Sequence, residues 1–225
     1  VELSEVCGTD VYLQQARLAG VPYPLVPGHV SVGRLDKVRG TLSDIDGRQL
    51  EEGDRVTFLD VHQTCHACWH CLVAKASTRC PRRKVYGITY GLRDGLCGGW
   101  GEKIYLKPET RLIRLDAADP ETFMAGGCSL PTALHAVERA EVKLGDTVLV
   151  LGSGPVGLSS VILSHMSGAL QVLCNGAPAH RLEAARAVGA TATLDIETHD
   201  EAQRLEWVLS RTAGRGADVT IEAPR

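Results

Sequence analysis

Four of the eight cysteines form the run C-x2-C-x2-C-x8-C: Cys65, Cys68, Cys71 and Cys80. Four thiolates this close in sequence can converge tetrahedrally on one ion, the arrangement of a closed structural zinc site. A disulfide framework is the competing reading, but such frameworks belong to small secreted chains. The tight spacing therefore predicts metal. His62, His66 and His70 are interleaved with the thiols; with four sulfurs already available, they are read as bystanders.

Three further residues could bind metal, but they are far apart in sequence. Cys7 stands in CGTD, His29 in PGHV and Cys128 in GGCSLPT. Two thiolates and an imidazole, with water in the fourth position, are the ligand set of a catalytic zinc. Singly, each has a plainer account: a buried cysteine is usually core, and His29 could cap the turn after Pro27-Gly28. Cys174 reads as a small core residue of a strand, and Cys97, in GLCGGWG, has no partner the sequence identifies.

The third cluster is Asp146 to Gly157, DTVLVLGSGPVG. A buried apolar strand, Val148 to Leu151, runs into Gly152, Gly154 and Gly157 at G-x-G-x-x-G spacing, and Pro155 and Val156 open a helix to Met166. Each glycine has a reason. Gly152 permits a tight turn, Gly154 lets backbone amides approach a pyrophosphate, and Gly157 lets the helix pack close to the strand. A lone glycine turn is weak evidence, but the strand before it, the helix after it and a second apolar segment at Leu170 to Cys174 give the βαβ setting of a dinucleotide site.

These residues need elements to hold them. After the glycine turn the pattern alternates: a helix over Arg181 to Val188 closed by Gly189, a strand at Thr191 to Leu194, a helix over Glu201 to Thr212 and a strand at Asp218 to Glu222. Alternation of this kind predicts a doubly wound parallel sheet. With 225 residues, 44% hydrophobic and 23% charged, the chain can fill one large or two modest domains. A net charge of −3 gives no basic field for nucleic acid, and Arg82-Arg83-Lys84 reads as a solvated patch. No apolar run reaches the ~18 residues that span a bilayer. No signal peptide is evident and the cytoplasm is the expected compartment. Both ends read as cut, at Val1 inside an apparent strand and at Arg225 after a fourth strand where such domains normally have six.

From CGTD through PGH, EEGDRV, the four-cysteine lobe and GSGPVG to GADVTIEA, the chain resembles the zinc-dependent medium-chain alcohol dehydrogenase family. The resemblance implies an α/β architecture: a GroES-like, β-rich catalytic domain over residues 1–124 with a zinc lobe at 60–85, then a partial Rossmann domain over 125–225, with the active site in the cleft between them. It implies that Cys7, His29 and Cys128 hold a catalytic zinc and the four lobe cysteines a structural one, two ions per chain. Thr9 matches the hydroxyl that passes a proton from the alcohol, Asp10 the carboxylate that orients the ligand histidine, and Thr132 a threonine near the nicotinamide. The implied activity is hydride transfer between an alcohol and NAD or NADP in a homodimer or homotetramer.

Four positions depart from the family pattern. Val30 follows His29 where a glutamate is usual, and Tyr12 stands where a histidine often completes the proton relay. A phenol of pKa ~10 is a poorer proton acceptor than imidazole. The lobe has eight residues before its last cysteine rather than the commoner seven. Gly176 occupies the position of the acid that binds the adenosine ribose 2′-OH, which removes a charge repelling a 2′-phosphate and leaves His180 or Arg181 as phosphate partners. Two other functions fit parts of the chain. A zinc-ribbon-like interaction module beside a non-catalytic nucleotide domain leaves CGTD and PGH without a purpose. A zinc-free quinone or enoyl reductase on the same scaffold has no use for the thiols.

Overall fold

The computed structural model describes residues 1–116 and 118–223. Arg225, where the sequence suggests a cut end, lies outside them. By its contacts the chain divides into two compact units, Val1–Gly127 and Cys128–Arg225.

The first unit is built on short strands and turns. In chain order it contains β1 (Leu3–Ser4), α1 (Gly8–Gln14), β2 (Ser31–Arg34), β3 (Leu42–Ser43), β4 (Gln49–Leu50), β5 (Arg55–Phe58), β6 (Val61–Gln63), α2 (Trp69–Leu72), β7 (Lys84–Val85), β8 (Leu112–Arg114) and α3 (Pro120–Gly126). An antiparallel sheet runs in the order β1-β2-β5-β8, and β3-β4 and β6-β7 form separate pairs. The strand expected at the start of the chain is shorter than Val1 to Val6. Only Leu3–Ser4 lies in register with β2, although Glu2 N and Glu5 N also donate to Val32 and Val30 carbonyls at 2.8 and 3.0 Å. Beyond that the backbone turns to start α1.

The core of this unit gathers Leu50, Val56, Phe58, Tyr86, Tyr90, Cys97 and Leu112. Tyr86 is fully buried, which is tolerable only because its hydroxyl is paired: Oη lies 2.6 Å from Thr110 Oγ1 and accepts from Lys107 N at 2.7 Å. Cys97 is a core residue here, 2% exposed.

In the second unit, α4 (Ser129–Arg139) precedes β9 (Thr147–Leu151), α5 (Pro155–Met166), β10 (Gln171–Gly176), α6 (Ala179–Ala187), β11 (Ala192–Asp195), α7 (Glu201–Arg211) and β12 (Val219–Glu222). The four strands are parallel in the order β11-β10-β9-β12, so the chain winds outward from β9 in both directions, the doubly wound pattern. Val148, Val150, Val161 and Val172 are fully buried between sheet and helices. Each contributes about 1.5–3 kcal/mol from burial. The expected elements are all present, shifted by one or two residues at their ends. β10 continues to Gly176, and α6 starts at Ala179 behind Pro178 and ends before Gly189, whose φ of +119° suits a residue without a Cβ. Asp200 caps α7 by accepting from Gln203 N at 2.9 Å, and Gln203 Oε1 returns the bond to Asp200 N at 2.9 Å. Among the described residues no helix is long and apolar enough to cross a membrane.

Candidate active site

The lobe shows how local spacing makes a metal site. Cys65 to Cys80 fold around α2 so that the four sulfurs lie within 4.8 Å of one another. Cys68 and Cys71 sulfurs are 3.6 Å apart, and Cys65 and Cys71 4.0 Å. A tetrahedron with Zn–S bonds of ~2.3 Å has edges of about 3.8 Å, whereas a disulfide needs ~2.05 Å. The donor set therefore fits zinc and excludes the disulfide reading. The Ala67 N–H is the strongest influence on the Cys65 thiol and draws its pKa down, with the Cys80 thiol and Arg82 adding to it. At Cys68 the Cys71 N–H also lowers the pKa, but burial and the thiols of Cys65, Cys71 and Cys80 outweigh it and push it up to about 11, so one thiolate forms at its neighbours' expense.

Two of the interleaved histidines have other partners, and among the described residues His70 Nδ1 is buried without a hydrogen-bond partner. His62 sits between Tyr90 Oη at 2.5 Å and the Pro108 carbonyl at 2.9 Å, and His66 Nε2 is 3.3 Å from Thr64 Oγ1. Trp69 is 62% exposed and packs edge-on against His70, ring centroids 5.3 Å apart.

At the start of α1, Cys7 is the N-cap. Its backbone N–H donates to Asp10 Oδ2 at 2.9 Å, and its sulfur accepts from Thr9 N at 3.3 Å. This capping box turns Asp10 inward, where it is 3% exposed, and its other oxygen faces His29 Nδ1 at 3.6 Å. On the far side of the ring, His29 Nε2 is 3.5 Å from Cys7 Sγ. A tetrahedral site with Zn–S of ~2.3 Å and Zn–N of ~2.05 Å needs a sulfur-to-nitrogen edge of about 3.6 Å. Burial alone would push the His29 pKa down, but Asp10 and Cys7 outweigh it and hold it up at about 10. For Asp10 burial pushes upward, and the facing imidazole and the Cys7 N–H reverse it, so its pKa is lowered. At 3.6 Å the Asp10–His29 contact is a charge pair just outside hydrogen-bond reach, and neither Asp10 Oδ1 nor His29 Nδ1 has a hydrogen-bond partner.

Cys128 follows α3 and Gly127 directly in the chain. Its sulfur, the Cys7 sulfur and a His29 ring nitrogen lie within 4.8 Å of one another. Three residues more than a hundred positions apart at the extremes thus supply a donor set of two thiols and one imidazole. Thr132 lies one turn into α4, exposed, its hydroxyl donating to the Cys128 carbonyl at 2.7 Å. Tyr12 is 37% exposed, and the Arg17 guanidinium lies over its ring at 5.3 Å.

Sequence reasoning missed what holds His29. Gly99 N donates to the Gly28 carbonyl at 2.8 Å and Trp100 N to Pro27 O at 3.0 Å, so the GGW loop forms the floor beneath PGH. A Cβ on Gly98 would fall 1.9 Å from Val26 O, and one on Gly28, whose φ is +95°, 2.6 Å from the Trp100 ring. The run of glycines was the available signal; its close approach to Pro27-Gly28 was not. Asp60 was also missed. Burial raises its carboxyl pKa, and His29 is close enough to act on it electrostatically in the opposite sense.

In the second unit the three glycines separate by role. Gly152 has a φ of +119°; a Cβ on Gly157 would lie 1.9 Å from Gly152 O; and around Gly154 nothing lies within 4 Å of the Cβ position. Gly154 is also the N-cap of α5 and carries no capping side chain, and Pro155 occupies the first turn. A close helix–strand contact beside open space at a helix N-terminus is the shape a pyrophosphate fits. Gly176 is buried at the end of β10, and Arg181 is half-buried with no carboxylate partner among the described residues.

Residues 1–117 match the alcohol dehydrogenase GroES-like domain. The chain is 33% identical to the 5-exo-hydroxycamphor dehydrogenase of Pseudomonas putida, over 99% of this chain and 61% of that one. It is 30% identical to the L-threonine 3-dehydrogenase of Bacillus subtilis, over 99% of this chain and 60% of that one. The crystal structure of an alcohol dehydrogenase from Thermotoga maritima superposes with a TM-score of 0.89 at 34% identity, covering 98% of this chain and 61% of that one. A zinc-binding dehydrogenase from Sinorhizobium meliloti bound to NADP gives 0.76 at 26% identity, covering 100% and 61%. The chain thus spans about three-fifths of the length of the relatives it matches. With a GroES-like unit, a parallel nucleotide-type sheet and these relatives, the chain belongs to the zinc-dependent medium-chain alcohol dehydrogenase family.

Proposed function

We propose that this chain carries the catalytic centre of an NAD(P)-linked, zinc-dependent dehydrogenase that interconverts a small-molecule alcohol and its carbonyl. The observation that carries this is the Cys7, His29 and Cys128 donor set, with Asp10 behind the imidazole. Those three residues would hold a catalytic zinc, and Cys65, Cys68, Cys71 and Cys80 a structural one. When bound, the catalytic ion lowers the pKa of an alcohol toward neutrality and polarises a carbonyl, and the nicotinamide exchanges hydride.

The chain's own residues do the rest. Asp10 fixes which ring nitrogen of His29 faces the metal and raises its basicity. Thr9, held half-buried next to Cys7, relays the hydroxyl proton outward. Exposed Tyr12 is a weak acceptor, so the proton would leave to solvent from there. The Gly152–Gly157 turn, including Pro155 and Val156, would hold the pyrophosphate of a dinucleotide, Thr132 would serve its nicotinamide end, and Gly176 and Arg181 its adenosine ribose. By family resemblance the working unit is a dimer or tetramer in the cytoplasm.

Metal analysis of the full-length protein tests the assignment. Two zinc ions per chain are expected, and one after Cys7→Ser. A count that ignores Cys7→Ser would overturn it. A panel of alcohols and carbonyls, assayed with NAD and NADP separately, tests the reaction.

A further inference from the structure

Glu5 touches each of the three segments that carry the catalytic donors. It stands two residues before Cys7. Its N–H donates to the carbonyl of Val30, the residue after His29, at 3.0 Å. Its own carbonyl accepts from Trp100 Nε1 at 3.1 Å, which ties it to the loop beneath Pro27-Gly28. The side chain makes the third connection, to the turn that delivers Cys128. A Cβ built on Gly127 would stand 2.5 Å from Glu5 Cδ and 2.7 Å from Glu5 Oε1, with Oε2 closer still. Gly127 ends α3 with its N–H on Phe123 O at 3.3 Å and a φ of +40°. A half-buried carboxylate thus lies against the residue directly before the third donor. Asp10 couples Cys7 to His29; Glu5 couples that pair to the segment of Cys128.

We propose that Glu5 is a positioning residue for the catalytic zinc: its side chain braces the Gly127 turn so that the Cys128 sulfur arrives beside the Cys7 sulfur and the His29 ring. It is not a further donor, since the atoms that lie within 4.8 Å of one another at this centre come from Cys7, His29 and Cys128. A tetrahedral ion fixes its bond lengths narrowly, so a donor left loose must be ordered when the ion binds, and that cost weakens the hold on the metal. Glycine is required on the other side of the contact, because a side chain at 127 would take the place of the carboxylate. The proposal rests on reading Cys7, His29 and Cys128 as a zinc site.

Full-length, zinc-loaded wild type, Glu5→Gln and Glu5→Ala decide this, each made also with Cys7→Ser or Cys80→Ser to name the ion that is lost. Zinc is counted over time in EDTA, and each protein is melted. Alanine keeps both backbone hydrogen bonds of residue 5 and removes only the contact with Gly127. The Cys7-dependent ion is expected to leave Glu5→Ala roughly tenfold faster than wild type or more, as for other residues that orient metal ligands. The Cys80-dependent ion should leave at the wild-type rate. Glu5→Gln, of the same length and with an acceptor oxygen, should hold both ions as wild type does. Wild-type retention of the Cys7-dependent ion by Glu5→Ala would overturn the proposal, as would a Glu5→Gln that releases it as fast as Glu5→Ala. Equal loss of both ions with a large fall in Tm would overturn it too, since that is the behaviour of a residue that only holds the unit together. Should the wild type carry one ion whether or not Cys7 is present, the reading of the donor set fails and takes this proposal with it. Two ions in wild type with no effect of Glu5→Ala leaves that reading standing and removes Glu5 alone.

Discussion

Asp10 reaches in two directions at once: Oδ2 accepts from Cys7 N at 2.9 Å, closing the cap of α1, and Oδ1 faces His29 Nδ1 at 3.6 Å. One carboxylate thus positions two of the three donors. Asp10→Asn keeps the shape and an acceptor for the cap but removes the charge behind the imidazole. Turnover by the full-length enzyme is expected to fall about 10–100-fold, with weaker zinc retention against a chelator and little change in Tm. A Tm loss as large as that of Asp10→Ala would mean the cap, not the charge, is what matters.

The glycine turn separates a packing role from a binding role. Gly157→Ala puts a methyl 1.9 Å from Gly152 O and should lower both Tm and nucleotide binding. Gly154→Ala meets nothing within 4 Å and should leave Tm unchanged. Its methyl would instead occupy the approach to the pyrophosphate, so a tenfold or greater loss of dinucleotide affinity is expected by calorimetry. Full binding by Gly154→Ala would put the nucleotide elsewhere.

In the lobe, Cys80 is fully buried, so Cys80→Ser cannot be rescued by solvent or by an exposed neighbour. Loss of one zinc per chain and a clear fall in Tm are expected, because binding energy at a structural site is folding energy. Elemental analysis showing both ions retained would contradict the assignment of all four lobe thiols to one ion.

Asp44 gives the first unit a dependence on acid. Its side chain is out of solvent, which alone would raise its pKa. The Arg48 and Asp46 N–H groups, each at 2.9 Å, and the Arg48 guanidinium outweigh burial and lower it. A folded pKa below the unfolded ~3.9 means the stabilisation is present above about pH 4 and is lost as pH falls through the folded value. Urea midpoints for wild type and Asp44→Asn should differ at pH 7 and converge below pH 4. A gap that stays constant with pH would show that the charge is not involved.

The amino-acid sequence alone determined the parts whose logic is local. Four thiols within sixteen residues have few ways to arrange themselves other than around one ion, and G-x-G-x-x-G between an apolar run and a helix pattern dictates its own turn. The alternating strands and helices of the second unit were legible for the same reason, with ends displaced by a residue or two because caps such as Pro178 decide boundaries that periodicity does not. Tertiary structure decided everything that depends on distant segments meeting. Only there does the GGW loop become the floor under His29, Asp10 turn inward through the cap of α1, and Glu5 lie against Gly127. These are contacts of van der Waals and hydrogen-bond range, most of them between residues tens of positions apart, set by packing rather than by any pattern along the chain.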